Sequence, residues 1–109
     1  MPTAYKILGQ SSPVANTTAN VYTVPSATQA VVSTIVICNR GTANASYHIA
    51  AQANGATLSN SHYIAFNSAV SSNDSIALTI GLTLSATDVL SVNASSNTIT
   101  FSIFGSEIT

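Results

Sequence analysis

A chain of 109 residues with 46% hydrophobic side chains can bury most of its unfolded surface around one core, which excludes disorder for want of apolar residues. Only 5% of its residues are Asp, Glu, Lys or Arg, against about 25% in an average soluble domain, and the formal net charge is -1. Its two basic residues, Lys6 and Arg40, cannot build the basic face that nucleic acid or an anionic membrane requires, and no apolar run approaches the roughly 20 residues of a spanning helix.

Period-2 alternation and β-branched residues dominate, with turn residues at regular intervals. In chain order, strands are predicted at Tyr5–Leu8, Val21–Val24, Ala30–Cys38, Ser46–Gln52, His62–Phe66, Ser75–Ile80, Val89–Val92 and Thr98–Phe104. The connections at Gln10–Pro13, Asn39–Gly41, Asn54-Gly55 and Ser71–Asp74 hold Gly and Asn, which tolerate positive φ, and Ser and Asp, which bond locally to the backbone. No long helical period is present, although Ser85 and Asp88 can cap a single turn. Ile99, Phe101 and Ile103 are expected to face a core, as are Ile76, Leu78 and Ile80. Val31–Cys38 is apolar on both faces apart from Ser33 and Thr34, so it belongs at the centre of a sheet with something covering each side.

The expected fold is all-β: a single domain over 1–109, an antiparallel β-sandwich of about eight short strands with jelly-roll or Greek-key-like connections. Residues 1–13 form either an N-terminal arm or an edge strand. In a two-layer sandwich, the second cover over Val31–Cys38 has to be a loop or another subunit. Outward Ser and Thr keep the faces wet without charge, but they leave few lysines to discourage edge pairing. Near-zero net charge favours self-association, so homo-oligomerisation is expected. The opening Met1-Pro2-Thr3-Ala4-Tyr5-Lys6 has no apolar stretch of the secretory type, and the lone Cys38 has no intramolecular disulfide partner.

No residue set carries a catalytic, cofactor-binding or metal-binding assignment. His48, His62 and Cys38 lack the close pairing of a zinc motif, and Cys38, ending an apolar strand, reads as a small hydrophobe. His62 is expected on a strand face with Ile64 and Phe66, as a packed or inter-subunit imidazole. No G-x-S-x-G elbow or D-x-D-x-D-G calcium loop occurs. Asp74 and Asp88 could form a glycosidase pair, but each sits among turn residues, where a structural hydrogen bond is the stronger expectation. The N-x-[ST] triplets at Asn16, Asn44, Asn73 and Asn93 are expected by chance in a chain this rich in Asn, Ser and Thr.

Several phrases, in order, resemble small virion structural proteins of tailed bacteriophages, especially those infecting marine bacteria and cyanobacteria. They are Tyr5-Lys6-Ile7-Leu8-Gly9-Gln10, Tyr22-Thr23-Val24-Pro25, Ala30–Gly41, His62-Tyr63-Ile64-Ala65, Asn73–Leu78, Ala86–Val92 and Phe101–Glu107. The resemblance brings no catalytic motif. It implies a non-enzymatic component made in the bacterial host cytoplasm and located in the virion. The roles it implies are a trimeric capsid decoration (cement) protein or a collar or neck fibre, in contact with major capsid, neck or fibre proteins. The alternative it implies is a tail-fibre module that binds a host-surface glycan through Tyr, Asn and His side chains.

Overall fold

The computed structural model describes residues 3–109. It contains eight strands: β1 (Thr3–Ser11), β2 (Ala19–Thr23), β3 (Gln29–Asn39), β4 (Ala45–Gln52), β5 (Tyr63–Val70), β6 (Ser75–Leu84), β7 (Val89–Ala94) and β8 (Ile99–Ile108). Every predicted strand is present. Two short 3-10 segments, Ala53–Gly55 and Asn60–His62, lie in the β4–β5 connection. His62 therefore belongs to a 3-10 turn rather than to the strand expected for it, because its Nδ1 accepts the Ser59 N–H and closes a local turn.

The strands form two four-stranded antiparallel sheets, ordered β1-β8-β3-β6 and β2-β7-β4-β5. This order is a jelly roll, in which successive strands alternate between sheets except at the β4–β5 pair and the first and last strands meet in one sheet. β1 is the edge strand beside β8, with Thr3 opposite Ile108 and Ser11 opposite Phe101.

Between the sheets lies one apolar core. Ile35, Ile37, Ile49, Leu90, Ile99, Phe101 and Ile103 are fully buried there, and Phe101 meets Tyr47 of the opposite sheet edge-on at 6.1 Å. Ile99, Phe101 and Ile103 face inward as their alternation predicts. Ile76 and Leu78 pack against the same core, but Ile80 is 37% exposed. The reason is a bulge: β6 carries an extra residue between Thr79 and Leu82 relative to β3, next to the positive-φ Gly81.

β3 lies inside its sheet, as expected, flanked by β8 and β6. Its two faces become distinct through a second bulge. Ala30 and Val32 point inward, Ser33 is the extra residue relative to β8, and the inward set then continues as Ile35, Ile37 and Asn39. Val31, Thr34, Val36 and Cys38 consequently face outward and are half-buried. Two close approaches lock this geometry. A Cβ on Gly105 would lie 2.0 Å from the Val31 carbonyl oxygen, and one on Gly9 would lie 2.2 Å from that of Val21, where β1 and β2 meet across the sandwich.

Polar groups close the two ends. Asn39, buried at the end of β3, donates Nδ2 to Ala43 O and Val70 O, while its Oδ1 accepts the Gly41 N–H and the Thr98 hydroxyl. At the other end the Asp88 carboxylate accepts the N–H of Ser85 and of Asn54, both at 2.8 Å, tying the β6–β7 turn to the β4–β5 connection. Ser85 and Asp88 thus define a tight turn rather than a helical one.

Candidate assembly surface

Cross-strand partners share a face, so the registers of β1, β8, β3 and β6 give the outer surface of their sheet row by row. One row is Tyr5, Ser106, Val31 and Thr83; the next is Ile7, Phe104, Thr34 and Thr79. A third is Gln10, Ser102, Val36 and Ala77, and the last is Thr100, Cys38 and Ser75. None of these side chains is charged. Tyr5 is 84% exposed and Ile7 52% exposed, and with Lys6, Val31, Ser33 and Phe104 they line a shallow trough of about 640 Å³. Large apolar side chains gathered this way on a monomer's surface mark an interaction site rather than random exposure.

By register none of the charged residues falls in these outward rows, and Lys6 is the one charge that lines the trough. Arg40 lies in the β3–β4 connection and donates to Asn97 O and Ser12 Oγ. Lys6 and Glu107 point toward the opposite sheet, since Glu107 pairs across the ladder with the buried Ala30. There Glu107 accepts the Tyr22 hydroxyl at 2.6 Å and pairs with Lys6 Nζ at 2.6 Å. The lysine and the tyrosine hydrogen bond hold the Glu107 carboxyl below its ordinary range, while burial and then the carboxylate push the Tyr22 phenol up, keeping it a donor. Sequence reading missed this group because its members lie on three strands, with no local spacing to connect them.

The second sheet supplies its own cover. On its outer face Ala50 and Ser91 are buried, although both point away from the core. Leu58, from the β4–β5 connection, lies over them together with Tyr63 and His48. Beside this cover is an aromatic group. His48 stacks on Phe66 at 4.3 Å, and Tyr63 meets Phe66 edge-on at 4.8 Å.

The residues considered for chemistry are kept apart. Asp74 precedes β6 and Asp88 follows it, so a ten-residue strand of about 33 Å separates their ends. A glycosidase pair needs about 5 to 9.5 Å. Asp74 Oδ1 instead accepts the Ser75 N–H, and Asp88 holds the turn described above. Cys38 and His48 lie on the outer faces of opposite sheets, and among the described residues no group of three His, Cys, Asp or Glu side chains gathers.

No family model and no curated protein matches this chain. Two solved structures are similar in part. One is of infectious bursal disease virus, Gt strain, at 11% identity and a TM-score of 0.49; the other is a pentameric capsid protein isolated from metagenomic phage sequences, at 21% and 0.36. Each similarity covers 96% of this chain, but the chain spans only 31% of the first protein chain and 59% of the second.

Proposed function

We propose that this protein is a non-enzymatic structural component of a tailed-phage virion that assembles with copies of itself, as a trimer, to decorate the capsid or build the collar or neck. The observation that carries this reading is the outer face of β1-β8-β3-β6: four strands wide, with no charged side chain in its outward rows, and exposing Tyr5 and Ile7. Jelly rolls serve as capsid and lectin domains alike, so the fold by itself does not choose between them. These uncharged rows support assembly, because burying them against a like face strands no ionised group, and Lys6 beside them is already paired with Glu107. The phrases shared with small phage structural proteins supply the context of the particle. Sister subunits would also provide the second cover that Val31, Val36 and Cys38 lack in a single chain.

Sedimentation velocity at micromolar concentration tests the proposal. The expected species is a trimer, and Ile7→Lys is expected to shift it to monomer with the β-sheet circular dichroism retained. A monodisperse wild-type monomer overturns the assembly reading; an Ile7→Lys protein that stays assembled moves the interface elsewhere. In a cryo-EM map of the particle, hundreds of copies would support decoration and a few trimers a collar or neck. Absence of the chain from the particle would overturn the virion role.

A further inference from the structure

The second exposed apolar feature is built differently from the trough. β5 is the edge strand of its sheet and pairs with β4 through two register shifts, at Tyr47/Ile49 and Ile49/Ala50. At the first of these, Asn67 adopts φ 54° and its N–H leaves the ladder to donate to His48 Nδ1 at 2.7 Å. That bond orients the imidazole, whose ring then supports one side of Phe66 at an interplanar angle of 20°. Tyr63 braces Phe66 from the edge at 73°. Phe66 is nevertheless 63% exposed and contributes nothing to the core. Phe66, Tyr63 and Asn60 line a hollow of about 290 Å³.

We infer that this hollow binds a neutral saccharide ring, with Phe66 as the platform for the ring's apolar face and Asn60 and Tyr63 as hydrogen-bonding partners for its hydroxyls. The size lies at the lower bound for a small-ligand site, about 300 Å³, which suits one ring rather than an extended peptide. The lining carries an apolar aromatic face, an amide that both donates and accepts, and a phenol, but no charge. A ligand with C–H groups on one face and hydroxyls around its rim complements that set, whereas an anionic sugar finds no cation in it. The His48 and Tyr63 contacts fix the platform before binding, which lowers the ordering cost for a small ligand. This site lies on the opposite sheet from the assembly trough and does not depend on the self-association reading.

The test is NMR titration of the full chain with glucose, galactose, N-acetylglucosamine and their neutral disaccharides. At least one is expected to shift the Asn60, Tyr63 and Phe66 resonances with a dissociation constant in the millimolar range, the regime of so small a ligand. Phe66→Ala is expected to weaken that binding about tenfold, and Asn60→Ala to weaken it while leaving the aromatic group in place. Absence of shifts with every sugar overturns the inference, as does binding that Phe66→Ala leaves unchanged. Sedimentation of Phe66→Ala distinguishes the remaining case: loss of the oligomer with this variant makes the aromatic group a subunit contact and overturns the saccharide site, leaving the assembly reading intact. Saccharide binding by an Ile7→Lys monomer would sustain the site even if the trough proved not to be the interface.

Discussion

Glu107 joins three strands at one end of the sandwich, through Lys6 on β1 and Tyr22 on β2. Its carboxyl is stabilised as the anion in the folded chain, so its folded pKa lies below the ordinary 4.5. Such a group contributes its full share of stability above its unfolded value and loses it as pH falls through the folded one. The protein is therefore expected to lose stability below about pH 4.5 relative to Glu107→Gln, whose amide does not titrate. Urea midpoints of the two proteins between neutral and acid pH check this, and parallel curves would remove Glu107 as the source. Asp74 and Asp88, by contrast, were legible as turn residues, because each accepts an N–H from a residue close by in the chain, although the Asn54 N–H that Asp88 also accepts was not.

At the scale of the element, β3 and β8 carry the sheet, and the bulges on β3 and β6 determine which of those strands' side chains meet the core. Alternation in Thr98–Phe104 was readable because no bulge interrupts it, and Ile99, Phe101 and Ile103 are all fully buried. Alternation in Val31–Cys38 was hidden. An extra residue at Ser33 exchanges the inward and outward sets halfway along, so the strand reads as apolar on both faces. Ile80 was misplaced for the same reason on β6. The bulge also brings β8 so near to β3 that position 105 has no room for a side chain. Gly105→Ala is expected to destabilise the fold by about 1 to 3 kcal/mol, the range for forcing extra volume into a packed site. A urea unfolding midpoint equal to that of the unmodified protein would show that the two strands separate without cost.

The whole molecule keeps its five charged residues out of the outward rows of both sheets: three lie in connections at the ends, Glu107 turns toward the opposite sheet, and Lys6, beside the trough, is paired with it. An assembly made through the β1-β8-β3-β6 face is therefore expected to hold from about 0.1 M to about 1 M NaCl, although the Debye length shrinks from about 10 Å to about 3 Å. Dissociation on adding salt, followed by sedimentation, would mean that charged contacts hold the copies together. The low charge, the eight strands and the all-β class were determined by the sequence alone, since composition and period-2 patterning are local properties that every short segment displays. The jelly-roll order, the phase of β3, the Lys6–Glu107–Tyr22 group and the Phe66 platform were decided only in three dimensions. Each depends on strands far apart in the chain being brought to a common register, and on bulges that shift a strand's face by one residue without leaving a mark in its composition. The missing charge was visible from the start; that it leaves one sheet's outer face bare while a loop covers part of the other followed only from packing the two sheets together.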